Sequence, residues 1–188
     1  MIHRFSALAG GLTGKRVADL GSGPGQYAVE FARLGAKVTC VDVSHRYMAI
    51  AKSKLQAAGL EAEFIAGYMD HIARLVTQKF DAIFNNVCWY YCMNDLAFAR
   101  ALVEVTRPGG VIMIRVQTAE SLRAQVGVRN VPYWLNRHLY WKVGHVLPPR
   151  DRVAYAFRRL RGCNVVEVDY SDPAIDVVSV RAVVRDFS

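Results

Sequence analysis

The residues best placed to do chemistry lie in two short stretches. Asp19, Gly21, Gly23 and Gly25 fall in ADLGSGPGQ (18–26), and Asp42 falls at the end of KVTCVDV (37–43). A glycine-rich turn after an apolar strand lets backbone N–H groups approach a nucleotide closely. An acidic residue about 20 positions later reaches a ribose hydroxyl pair. Asp42 stands at about that spacing. The phosphate cradle GxxxxGK[ST] is excluded, because Gly-Lys-Ser/Thr occurs nowhere in the chain. The dinucleotide pattern GxGxxG is met only in its first two glycines. Gln26 stands in the third position, and Gly25 comes one residue early. Glycine turn and carboxylate together describe an adenosine-binding site.

A second candidate region is defined by charge and aromatic content. The chain carries a formal net charge of +8. Between Thr118 and Gly162 nine Lys/Arg face only Glu120 and Asp151, so nearly all of the excess sits in one quarter of the chain. Such a concentration points to an anionic partner, with a solvated face as the plain alternative. Within it lies VPYWLNRHLYWKVGHVLPP (131–149). At helical spacing Trp134, His138, Trp141 and His145 share one face, with Leu135, Leu139 and Val146 beside it. His138 and His145 are the candidate general bases. The four cysteines, 40, 88, 92 and 163, form no CxxC pair and no zinc spacing, and no metal site is expected. Cys40 and Cys163 read as buried small hydrophobes in reduced form.

The elements that must position these residues alternate. Strands are expected at Lys15–Leu20, Lys37–Val43, Glu61–Ala66, Phe80–Phe84 and Val111–Gln117. Helices are expected at Gln26–Leu34, from Ser44 as N-cap to a stop at Gly59, and at Asp95–Thr106 before the turn Arg107-Pro-Gly-Gly110. Strand–helix alternation with near-continuous apolar strands predicts an α/β fold, a parallel sheet with helices on both faces. A helix over Arg150–Arg161 then leads to strands Val165–Tyr170 and Val177–Val184. Their SDPAID link is too short for a parallel crossover, so the last strand must run antiparallel. At 188 residues a single domain, 1–188, is expected, with an insertion at about 118–148. About fourteen residues precede the first strand. Their apolar run is too short for a secretory signal, no run spans a bilayer, and a cytoplasmic protein is expected.

VADLGSGPGQYAVEFARLGAKVTCVDVS (17–44) resembles the first two motifs of class I S-adenosylmethionine-dependent methyltransferases. FDAIFNNVCWYYCMND (80–95) and VEVTRPGGVIMI (103–114) resemble their fourth-strand motif and the turn into their fifth strand. The resemblance implies a Rossmann-like, seven-stranded, mostly parallel sheet with an antiparallel last strand, and S-adenosylmethionine as cofactor. It further implies that Asp19 and the turn Gly21, Ser22, Gly23 and Gly25 hold the methionine end. Asp42 would take the ribose hydroxyls, Val43 and Met69 the adenine faces, and Asn85 or its backbone the amino group. Many members carry Asp directly after the glycine matching Gly67. Here that residue is Tyr68, so the adenine amino group falls to Asp70 or to a backbone carbonyl.

A sulfonium methyl is already activated, so the protein must align a nucleophile behind it and exclude water. The methyl would emerge near Trp89, Tyr90 and Tyr91, candidates for an apolar acceptor wall, with helix-to-sheet packing as the alternative. Trp134 and Arg137 join them if residues 118–148 form a substrate lid over the strand ends. The expected function is O- or N-methylation of a small-molecule or glycan-type acceptor, anionic, phosphorylated or lipid-linked. RNA methylation and a catalytically silent cofactor-binding module are the alternatives. Peripheral membrane contact and a homodimer are compatible with the sequence.

Overall fold

The computed structural model describes residues 1–122, 131–139, 141–142 and 144–183. Among these residues seven strands form one sheet: β1 (Arg16–Leu20), β2 (Lys37–Asp42), β3 (Glu63–Ala66), β4 (Phe80–Asn86), β5 (Thr106–Gln117), β6 (Cys163–Asp172) and β7 (Ile175–Ala182). Their order is β3-β2-β1-β4-β5-β7-β6. The β1–β2, β2–β3, β1–β4 and β4–β5 pairs are parallel, whereas β7 runs antiparallel to both β5 and β6. The short link after β6 therefore makes a hairpin, as its length requires. The order reverses between β1 and β4, and the crevice for ligands in such sheets opens at that point.

The helices are α1 (Ile2–Ala9), α2 (Gln26–Arg33), α3 (His45–Ala57), α4 (Ile72–Leu75), α5 (Asp95–Val105), α6 (Val131–Leu139) and α7 (Arg152–Arg158). The two-residue period of each strand divides the core in two. Val17, Ala82 and Phe84 pack with Phe5 of α1, Phe31 of α2 and Leu55 of α3. Ala18, Leu20 and Ile83 pack on the other face with Ile72, Phe98 and Phe157. The same alternation sends Asp19 and Asn85 to opposite sides of the switch point.

One element was not expected from the sequence, and one expectation is corrected. The residues ahead of β1 form a helix with Phe5 fully buried, its ring 5.0 Å from Phe31 and 5.2 Å from Phe84. Arg4 also ties α1 across to Glu167 and Asp169 of β6. The correction concerns the aromatic–histidine stripe. α6 ends at Leu139, so Trp134 and His138 keep their helical neighbourhood with rings 5.4 Å apart, while Trp141 and His145 lie outside the helix. Gly144, in a left-handed conformation, turns the chain between them.

Candidate cofactor and acceptor site

The site is built where β1, β2 and β4 end. After Leu20 the chain leaves the sheet through Gly21, whose N–H donates to the Val41 carbonyl at 2.8 Å. Gly21 sits at φ +67, and a Cβ there would lie 2.4 Å from Cys88 Sγ. Gly25 opens α2 at φ +75, and its missing Cβ would strike the Ala51 Cβ at 2.6 Å. One glycine thus admits β4's following turn and the other admits α3. This second contact lets the start of α2 approach α3 closely.

Asp42, half-buried at the end of β2, organises the turn. Its Oδ2 accepts the Gly23 N–H and its Oδ1 the Ser44 N–H, both at 2.8 Å. Ser44 in turn caps α3 by accepting the Tyr47 N–H at 3.2 Å. Asp19 faces α2 from β1 and is almost wholly buried. Burial first, and then the Asp42 charge, raise its pKa to about 7 against a weaker pull from the Ala28 N–H. Its Oδ2 has no hydrogen-bond partner, and neither do the buried Ser22 Oγ and Asn85 Oδ1. Buried polar atoms without partners cost free energy, so three of them around one glycine turn mark where a polar ligand belongs.

On the opposite side, Asn85 Nδ2 donates to the Leu20 carbonyl at 3.0 Å and lies against Met69 Sδ and Cys88 Sγ at 3.3 and 3.0 Å. Met69 is buried beneath the turn, whereas Val43 is 53% exposed at its rim. Asp70 accepts the Met93 N–H at 3.2 Å and so links the segment after β3 to the turn after β4. Cys88 was not singled out by sequence. It donates to the Leu20 carbonyl, and burial, followed by the charge of Asp19, pushes its thiol up to about 12. The clash distance at Gly21 shows how closely it approaches the turn.

The turn after β4 divides the three aromatics. Trp89 is fully buried against Phe98 and Phe157, with its indole N–H donating to Asp95 at 2.8 Å. It packs helix to sheet and offers no surface to an acceptor, the plainer of its two sequence readings. Tyr91 is 51% exposed, with its ring 4.3 Å from Tyr90 and 5.2 Å from His145. Burial, then Tyr91, pushes the Tyr90 phenol up to about 12, so Tyr90 stays protonated at neutral pH. The structure therefore brings His145 to Tyr91 and keeps His138 on Trp134 of α6. Trp134 is half exposed, and Arg137 reaches Glu120 at 3.8 Å.

A family model described as a methyltransferase domain matches residues 17–110, from β1 to the turn inside β5. The chain is 30% identical over 138 residues to a ubiquinone biosynthesis O-methyltransferase of Rhizobium leguminosarum, covering 70% of this chain and 54% of that protein. It is 29% identical over 119 residues to the Salmonella typhimurium protein of the same name, covering 59% and 49%. The chain thus spans about half the length of the curated relatives it matches. Among solved structures, a putative S-adenosylmethionine-dependent methyltransferase from Listeria monocytogenes superposes with TM-score 0.73 at 16% identity, covering 96% of each chain. One from Clostridium acetobutylicum superposes with TM-score 0.73 at 11% identity, covering 97% of this chain and 89% of that one. These likenesses establish the fold.

Proposed function

This chain belongs to the class I S-adenosylmethionine-dependent methyltransferases, whose cofactor is S-adenosylmethionine, and on that premise we propose that it methylates an oxygen of a small-molecule acceptor held against Tyr90, Tyr91 and His145. The observation that carries the reading is the set of partnerless buried atoms, Asp19 Oδ2, Ser22 Oγ and Asn85 Oδ1, around a turn from which Gly21 excludes any Cβ. Their chemistry suits the cofactor. A buried carboxylate raised toward neutrality gains from a cationic ligand, and the amino group and sulfonium are both cationic. Asp42, with two acceptor oxygens at the end of β2, suits a pair of ribose hydroxyls. Val43 at the rim and Met69 beneath are the residues for the adenine.

The cofactor supplies an activated methyl group; the chain supplies alignment and a path for the acceptor's proton. His145, in contact with Tyr91, is the group suited to receive the proton of an acceptor hydroxyl. Tyr90, kept protonated, donates a hydrogen bond and orients the acceptor. The O-methyl chemistry is that named in the curated relatives, both ubiquinone biosynthesis O-methyltransferases. A domain spanning 1–188 with residues 118–148 as its lid fits the placement of His145 beside Tyr91; residues 123–130, 140 and 143 of that lid, and 184–188 of the domain, lie outside the described ones. Among the described residues no helix is long and apolar enough to cross a membrane.

The deciding experiment offers labelled S-adenosylmethionine with total RNA, a lipid extract and a small-metabolite pool at two salt concentrations. Label is expected in the small-metabolite pool. Label in RNA, lost steeply with salt because many phosphates are contacted, would overturn the reading. Calorimetry should show S-adenosylhomocysteine binding and no binding of NAD.

A further inference from the structure

Among the described residues the cations of the basic stretch fall into separate groups. Arg137, Arg150 and Arg158 are turned to Glu120, Asp176 and Asp151, at 3.8, 3.1 and 2.9 Å, and so serve the fold itself. Lys142, Arg152 and Arg159 line one cavity of about 690 Å³ between the start of α5, the body of α7 and the Trp141–Lys142 segment, where Arg152 also donates to the Asn136 carbonyl and Arg159 to the Tyr155 hydroxyl at 2.8 Å. That volume lies in the range of small-molecule sites. The cavity's one carboxylate is Asp95, against three cations. Asp95 is already engaged by the Trp89 indole N–H at 2.8 Å and by Lys142 Nζ at 3.4 Å. The formal balance inside the cavity is therefore positive. Its aromatic walls are Trp141, 63% exposed, and Tyr155, over whose ring the Arg159 guanidinium lies at 5.6 Å. Residues of the cofactor cradle, Asp19, Gly21, Asp42 and Asn85, take no part in its lining.

We propose that this cavity binds a small aromatic anion, its carboxylate or phosphate held by Arg152 and Arg159 and its ring packed against Trp141 and Tyr155. Arginine's planar fork suits two-point contact with either anion, and rings beside guanidinium groups suit a flat ligand. The site is joined to the acceptor wall through the turn after β4. Asp95 and Lys142 form its floor, and they hold Trp89 and Cys92 at the two ends of the turn that displays Tyr90 and Tyr91. The anion is either the distal end of the acceptor or a separate ligand. Both share one chemistry.

The test is calorimetry of the whole chain with phenyl phosphate, and with benzyl alcohol as the neutral counterpart. Phenyl phosphate should bind with one-to-one stoichiometry and benzyl alcohol should not. Arg159→Gln should weaken binding about tenfold or more, the loss of a charge-assisted contact. Arg161→Gln, exposed and outside the lining, should leave it unchanged. S-adenosylhomocysteine binding by both variants confirms that they are folded and keeps this test separate from the proposed function. The two sources are then told apart with 4-hydroxyphenyl phosphate and labelled S-adenosylmethionine: label transfer makes the anion part of an acceptor, and binding without transfer makes it a separate ligand. Absence of phenyl phosphate binding, or equal losses in Arg159→Gln and Arg161→Gln, would overturn the proposal.

Discussion

Asp19, on β1, carries a pKa of about 7 because burial and then the charge of Asp42, on the neighbouring strand β2, both oppose its ionisation. Its ordinary value is 3.8, so the folded chain holds this proton over a pH range in which the unfolded chain has released it. The stabilising effect is fully present below about pH 4 and is lost as the pH rises through about 7. The difference amounts to at most ~4 kcal/mol for a shift of about three units. Asp19→Asn should flatten this slope, raising stability near pH 7 while weakening S-adenosylhomocysteine, whose ammonium loses its partner. Urea midpoints for both proteins between pH 4 and 8 check the first part. Parallel slopes would refute it. Wild-type binding at pH 6 should release protons, read from calorimetry in buffers of different ionisation enthalpy.

Asp42 serves the turn as well as the proposed ribose contact, because both its oxygens accept backbone N–H groups. Asp42→Ala should therefore lower cofactor-product affinity by about 2 kcal/mol or more and stability by about 1–2 kcal/mol. Unchanged affinity in a folded variant would reduce Asp42 to a structural cap.

Gly21→Ala tests the contact that the sequence did not disclose. The added methyl meets Cys88 Sγ at 2.4 Å, and φ +67 disfavours any side chain. A loss of roughly 2–3 kcal/mol is expected from overpacking and backbone strain together. Adding Cys88→Ala should return the steric share, about 1 kcal/mol, and leave the backbone share. A strictly additive double-mutant cycle would show that the two residues do not press on one another.

The grouping of Asp19, the glycine turn and Asp42 at neighbouring strand ends was readable because it depends on residue type and short spacing. The seven strands and their directions were readable because apolar periodicity and link length constrain them. α1 was not. Its eight residues are held by Phe5 against Phe31 and Phe84, partners distant in sequence that no local pattern announces. Cys88 was hidden for a similar reason, since its role arises from the approach of β4's following turn to Gly21. The stripe through Trp134, His138, Trp141 and His145 kept its spacing beyond the end of α6, so periodicity there outlasted the helix. The charge of the basic stretch was legible in amount but its internal pairing was not, because sequence does not show that Glu120, Asp151 and Asp176 meet Arg137, Arg158 and Arg150.

The aromatics after β4 should separate by assay. Trp89→Ala removes a fully buried ring and should cost about 3–5 kcal/mol of stability. Tyr91→Phe, at a half-exposed position, should leave the unfolding free energy from urea titration within about 0.5 kcal/mol and change only methyl transfer. A turnover loss in Tyr91→Phe that tracks a fall in stability would place Tyr91 in the scaffold.

The last prediction concerns the docking of α6. Asn136 of that helix is fully buried, and both polar atoms of its amide lack hydrogen-bond partners. Its backbone carbonyl, by contrast, accepts from Arg152 of α7. A buried amide without partners opposes burial by about 1–3 kcal/mol, so α6 is held against the body of the protein by less than its packing would otherwise give. Such an arrangement suits an element that must lift to admit an acceptor. Asn136→Leu removes the penalty at similar volume. Hydrogen exchange across Val131–Leu139 should then slow about tenfold or more, corresponding to about 1.4 kcal/mol. Turnover should fall if lifting of α6 precedes acceptor entry, while S-adenosylhomocysteine affinity stays the same. Arg152→Met acts in the opposite sense by withdrawing the donor to the Asn136 carbonyl, and exchange in α6 should quicken. Exchange that is unchanged or faster in Asn136→Leu would mean that the amide finds partners in solution and that α6 is not poised to open.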